Sequence, residues 1–171
     1  MHLENRQVVL KNRPSDDQVE ACFELESTQL SGLKEGEIRI ANQFISLDPY
    51  IRLRLNEAKS YMPPQPLNMV IESASAGVIA ESRHANFNPG DDVVGPGNWQ
   101  SFYQGIPEGF RKVSTQDIPL TAYLGPLGMT GITAWIGVKK IIKPLAGEQV
   151  IVNAASGAVG SVAGQLCKSL G

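Results

Sequence analysis

Residues 148–171 read EQVIVNAASGAVGSVAGQLCKSLG, and no other stretch constrains the fold as much. Val150, Ile151 and Val152 are consecutive, apolar and β-branched. Such a run suits a parallel strand buried on both faces, because neither side of the pleat offers a polar row to water. After it, Val159, Val162, Ala163, Leu166 and Leu170 recur at helical spacing and mark one apolar face of an amphipathic helix. Small residues, Asn153 to Ser161, join the two. A doubly covered strand turning tightly into a helix is the opening unit of a doubly wound α/β sheet, where the first strand is central and needs a neighbour on each side.

The turn also carries a pattern. A Gly-x-Gly-x-x-Gly fingerprint aligns on Ala155-Ser156-Gly157-Ala158-Val159-Gly160, with Ala155 in place of the first glycine. Gly157 would let backbone approach a pyrophosphate, and Gly160 would let the helix pack close to the strand. The N–H groups from Ala158 to Ser161, Val159 and Gly160 included, would then face an anion at the positive end of the helix dipole. The alternative is a tight strand-to-helix connection with no ligand. The residue that reads the adenosine ribose is expected about 20 positions further on, at or beyond Gly171. The chain is therefore expected to be about half of the fold that its last stretch requires.

The first 120 or so residues have a different texture. VEACFELE alternates, with Val19, Ala21, Phe23 and Leu25 on one face and Glu20, Glu24 and Glu26 on the other, a half-buried strand. EIRIANQFISL begins the same way. SASAGVIAES, DDVVGPGNWQSFY and GFRKVS add further candidates, and Asn88-Pro89-Gly90 is a turn signal. Short strands punctuated by glycine and proline point to a barrel-like all-β unit. From Pro119 the sequence turns apolar and helical in two pieces, broken near Gly125-Pro126 and closed by Pro144.

Composition narrows the function classes. Apolar residues make up 42% and charged residues 19%, enough for a packed core. The net charge of −2 comes without a basic run, which argues against nucleic acid. No apolar run approaches the roughly 18 residues of a membrane span. The mixed, charged N-terminus is unlike a signal peptide, and Cys22 and Cys167 read as free thiols of a reducing cytoplasm. With no CxxC and only His2 and His84, a zinc site is not expected.

Four stretches, SLDPYIRLRL, AKSYMPP, LGPLGMTGITAWIG and VIVNAASGAVGSVAGQLCKSLG, together resemble the medium-chain dehydrogenase/reductase superfamily. The resemblance is nearest to its zinc-free alkenal and prostaglandin reductase branch, which includes bacterial curcumin reductases. It implies a GroES-like β-barrel domain over residues 1–123. It also implies linker helices and the incomplete start of a Rossmann domain over 124–171, with NADP(H) bound in the cleft between the two domains. The implied reaction is reduction of the C=C bond of an α,β-unsaturated ketone or aldehyde. Zinc-dependent relatives hold their metal with Cys and Gly-His-Glu ligands; the corresponding stretches here, SLDPY and MVIESASAG, contain none. The full-length protein is expected to be a homodimer acting on a small-molecule enone or enal. Residues 1–171 alone are expected to be inactive and to self-associate through the exposed first Rossmann strand.

The candidate site residues follow from that resemblance. Tyr50, in DPY, and Tyr61, in KSYMPP, are the best hydroxyl donors for a pocket; the alternative is that each packs at a barrel edge. The family's main catalytic tyrosine falls outside these residues. Met129, Thr130 and Thr133 lie in a segment that, by resemblance, runs near the nicotinamide; the alternative is helix packing through small residues. Arg52 and Arg54 read as the solvated face of a strand, Trp99 as core, His84 as surface, Asp91 and Asp92 as a strand-entry turn, and Cys167 as structural. Two other functions fit the same features, a zinc-free quinone reductase and a non-catalytic GroES-like binding module.

Overall fold

The computed structural model describes residues 3–15 and 18–171. His2 therefore lies outside the described residues. The chain divides into two compact units, one running to Thr115 and one from Gln116.

The first unit is built from antiparallel strands. β1 (Glu4–Leu10) pairs with β2 (Phe23–Gln29), with Val8 opposite Leu25 and Leu10 opposite Phe23. The remaining strands form one five-stranded sheet in the order β6-β3-β4-β5-β7. Their ranges are β3 (Ile38–Ile45), β4 (Ser75–Ser82), β5 (Asp92–Gly95), β6 (Phe102–Gly105) and β7 (Arg111–Lys112). β1 also bridges to Gln100 and Val70. Ile38 and Ile40 of β3 are fully buried beside Ile79, Val93 and Phe110, but the in-and-out alternation read from the sequence does not hold there. Arg39 between them is buried too. Its guanidinium bonds to Glu81, Gln104 and the Ser31 carbonyl, which makes its burial tolerable. A second core gathers Leu10, Cys22, Ile51, Leu55 and Ile71, with Trp99 and Tyr50 packed against it.

Two further sequence expectations fail in this unit. Residues 19–26 are not one strand: Glu20–Cys22 form a 3₁₀ turn, and β2 starts at Phe23. The turn breaks the two-residue parity, so Cys22 is buried while Ala21 and Leu25 are exposed. Arg52 and Arg54 are not on a strand either. They belong to α1 (Pro49–Arg54), and Arg54 is buried. Pro49 occupies the first helical turn, where its missing N–H is harmless and its fixed φ favours helix.

In the second unit, Leu120–Leu124 form a 3₁₀ turn. α2 (Met129–Trp135) continues into a π-helical segment, Ile136–Ile142. Lys143 ends it in the left-handed region at φ 51°, and Pro144 follows. The breaks at Gly125-Pro126 and Pro144 are those read from the sequence. α3 (Ala158–Lys168) packs against α2. The expected strand at Val150–Val152 does not form, and Ile151 is 92% exposed. A strand exists only as a hydrogen-bonded partner of another strand, and the described residues of this unit supply none.

Candidate functional site

In the first unit the site begins with α1. The Ile51 N–H donates to the Asp48 carbonyl at 3.0 Å, and Ser46 Oγ donates to Asp48 Oδ2 at 2.7 Å. The short helix turns Ile51 and Leu55 into the core and leaves Tyr50 half-buried at its start. Arg54 closes the helix. Its Nη2 donates to Glu72 Oε2 at 2.6 Å and its Nε to the Pro63 carbonyl at 2.9 Å. Fully buried Gln65 locks the intervening loop, donating to the Val70 carbonyl and accepting from the Glu72 N–H.

These contacts shape a cleft of about 420 Å³ lined by Tyr50, Arg54, Met62, Glu72, Ser73 and Asn98, among others. Burial pushes the Tyr50 hydroxyl above its ordinary pKa, and the nearby Asp48 charge raises it further. Arg54 opposes them, while Tyr61 and Glu72 add to them. Tyr50 therefore stays protonated, and a donor, at neutral pH. Tyr61 precedes Met62 and is 76% exposed; it acts on Tyr50 electrostatically without being packed. Sequence reasoning missed Arg54 and Glu72 as parts of this cleft and Gln65 as the support of its loop. The available signal was Asp48-Pro49, a helix start.

The second unit holds the small-residue turn. Ala154 takes a positive φ of 52°, and the Gly157 N–H donates to its carbonyl at 2.9 Å. Gly157 is extended and caps α3. The Ser161 N–H donates to the Gly157 carbonyl at 2.9 Å, so it belongs to the helix ladder and does not face an anion. The N–H groups of Ala158, Val159 and Gly160 have no acceptor inside the helix, the ordinary state of a first turn. A Cβ on Gly160 would overlap the Ala154 carbonyl oxygen, so the helix start lies directly on the turn. Ala155 is exposed in that turn. On α2, Met129 is exposed, Thr130 Oγ1 donates to the Gly125 carbonyl at 3.0 Å and Thr133 Oγ1 to the Met129 carbonyl at 2.7 Å. Both hydroxyls keep acceptor lone pairs. The structure thus gathers Met129, Thr130 and Thr133 with Ala155–Ser161 in one unit through the packing of α2 on α3, and sets Tyr50 and Tyr61 in the other.

Trp99 packs on the second core with its indole N–H on the Ser46 carbonyl. His84 stacks edge-on against Phe87 and accepts the Asn86 N–H. Asp91 accepts the Asn88 N–H, which holds its carboxyl below the usual range, and caps the turn before β5. Cys22 and Cys167 are free thiols. Among the described residues, no three His, Cys, Asp or Glu side chains cluster to hold a metal, and no helix is long and apolar enough to cross a membrane.

The first unit is thus an antiparallel β unit carrying a polar-rimmed cleft, and the second carries a glycine turn at a helix start. The chain belongs to the family described as the N-terminal domain of oxidoreductase, whose model matches residues 6–113. It is 39% identical over 173 residues to YfmJ of Bacillus subtilis, a match covering all of this chain and 50% of that protein. It is 36% identical over 169 residues to the NADPH-dependent curcumin reductase of Escherichia coli, covering 98% of this chain and 48% of that one. The crystal structure of CurA from Vibrio vulnificus in complex with NADPH superposes with a TM-score of 0.89 at 33% identity, over 97% of this chain and 49% of that one. The chain thus spans about half the length of the relatives it matches, and the resemblance to the curcumin, alkenal and prostaglandin reductases holds.

Proposed function

We propose that the whole protein is an NADPH-dependent oxidoreductase that reduces the C=C bond of α,β-unsaturated ketones or aldehydes without a metal. In this reading, residues 1–123 form the substrate domain and 124–171 open the cofactor domain. The carrying observation is the pairing of a helix start pressed onto a small-residue turn with a cleft that presents a protonated tyrosine. The residues present fit the cofactor. A side chain on Gly160 would fill the place where the turn meets the helix, and three N–H groups there await an acceptor. Ala158, Val159 and Gly160 would hold a phosphate at the helix start. Met129, Thr130 and Thr133 would flank the nicotinamide end, and Ala155 and Gly157 leave the approach to the backbone open. NADPH, when bound, supplies the hydride.

The chain's own residues act on the enone oxygen. Tyr50, with Tyr61 beside it, donates a hydrogen bond to the carbonyl, where negative charge gathers as the β-carbon is reduced. A well-placed donor of this kind is worth up to about 3–4 kcal/mol. The α-carbon then takes a proton from an acid or from water. The name of the Escherichia coli relative supports the substrate class, since curcumin is itself a conjugated enone. The free thiols support a reducing compartment, the cytoplasm.

The test is steady-state kinetics of Tyr50→Phe and Tyr61→Phe on an alkenal, an enone and a quinone, with NADPH affinity measured separately. Loss of a transition-state donor should lower turnover by about tenfold or more and leave NADPH affinity alone. Unchanged turnover in both variants would assign the two rings to packing, and preference for the quinone would change the substrate class.

A further inference from the structure

The cleft beside Tyr50 carries one ion pair, and its two ends face different ways. The Arg54 guanidinium is the inner end: its side chain is 5% exposed and committed to Glu72 and to the Pro63 carbonyl. The Glu72 carboxylate is the outer end, with its side chain 52% exposed. Both residues line the cleft, and no lysine or histidine lines it among the described residues. The side chain closest in kind to a carboxylate receptor, Arg54, is thus turned inward and satisfied. What the cleft offers a ligand is the carboxylate. Asp48 adds to this sign: its charge, with that of Glu72, acts on the Tyr50 hydroxyl in the direction opposite to Arg54.

We infer that Glu72 is a specificity-determining residue that restricts the cleft to neutral conjugated carbonyl compounds and turns away those carrying a carboxylate. This deepens the reductase reading and rests on it. The physical reason is a like charge brought next to a half-exposed one whose counter-ion, Arg54, is buried behind it and offsets the repulsion only in part. Water screens such a pair only partly, so the repulsion persists at the distances within a cleft of this size. A neutral substrate meets no such barrier, and its hydroxyl or ester groups can lie against Glu72 as donor or bystander.

The probe is a pair of enones identical except that one bears a free carboxylate and the other its methyl ester, assayed with NADPH in the whole protein. In the unmodified protein, kcat/KM for the ester should exceed that for the acid by about threefold or more, less than two isolated unit charges a few ångströms apart would give, because Arg54 behind Glu72 offsets part of the repulsion. Glu72→Gln keeps an oxygen for the Arg54 bond and removes the charge. It should shrink the ester-to-acid ratio at least threefold, on the order of a partly screened charge. A second measurement needs no variant: raising ionic strength from about 0.01 M to 1 M shortens the screening length from roughly 30 Å to 3 Å and should narrow the ratio in the unmodified protein. A ratio near one, or one that neither salt nor Glu72→Gln changes, overturns the assignment of Glu72 while leaving the reductase reading intact. Failure to reduce the ester at all would overturn the reductase reading itself, and this inference with it.

Discussion

Gly160 and Gly164 lie one turn apart on α3 and meet different surroundings, which lets one helix serve as its own control. A Cβ at Gly160 would overlap the Ala154 carbonyl oxygen and lie 2.9 Å from the Ala154 carbonyl carbon and 3.0 Å from the Ala155 Cα. These are backbone atoms and cannot rotate aside. A Cβ at Gly164 meets nothing within 4 Å. Alanine gains about 0.8–1 kcal/mol of helix propensity over glycine at either place. Overpacking against fixed atoms costs about 1–3 kcal/mol, and a clash with backbone belongs at the upper end. Gly164→Ala should therefore stabilise the second unit by about 1 kcal/mol, since only the propensity gain applies. Gly160→Ala should destabilise it by about 2 kcal/mol net, because the overpacking outweighs that gain. Propensity enters both variants alike, so their difference reads the close approach of helix to turn. Urea unfolding followed by far-UV circular dichroism on residues 1–171, with hydrogen exchange at the α3 amides, measures it. Gly160→Ala stabilising as much as Gly164→Ala would show that the helix does not rest on the Ala154 carbonyl, and the case for a phosphate turn would lose its geometry.

Two more outcomes follow from the same structure. Gly157 has an ordinary φ of −74°, and a Cβ there meets only the Ala154 carbonyl oxygen, at a tight 3.2 Å, so Gly157→Val should leave the first unit folded. Its branched carbons would occupy the phosphate approach, so calorimetry on the whole protein should show NADPH binding weakened at least tenfold, on the order of one lost close contact. Wild-type affinity would remove the assignment. For Tyr50, burial and Asp48 raise the folded pKa above the unfolded value. The folded state then holds the proton longer, so this stability is fully present below about pH 10 and lost as pH rises through the folded pKa. The urea midpoint of the unmodified chain should fall faster than that of Tyr50→Phe between about pH 9 and pH 11, and parallel curves would contradict the raised pKa.

Much of the candidate site was legible because its signals are local. The turn at Ala155–Gly160, the helix start at Gly157, the breaks at Gly125-Pro126 and Pro144 and the burial of Ile38 and Ile40 each depend on a few neighbouring residues. The Ser161 N–H was misread for a local reason too. The first helical bond, to Gly157, falls one residue earlier than a count from the motif alone would place it.

The sequence by itself determined where the backbone turns and what it is apolar enough to bury, since φ, ψ preferences and side-chain periodicity are carried within a few residues. Only the tertiary structure decided what stands beside what. Arg54 became the inner half of an ion pair because Glu72, 18 residues away, arrived at its guanidinium. Residues 19–26 lost their parity because Cys22 was drawn into a core with Leu10, Ile51 and Ile71. Val150–Val152 has every intrinsic property of a strand and is not one, because pairing is a property of two segments and burial a property of many.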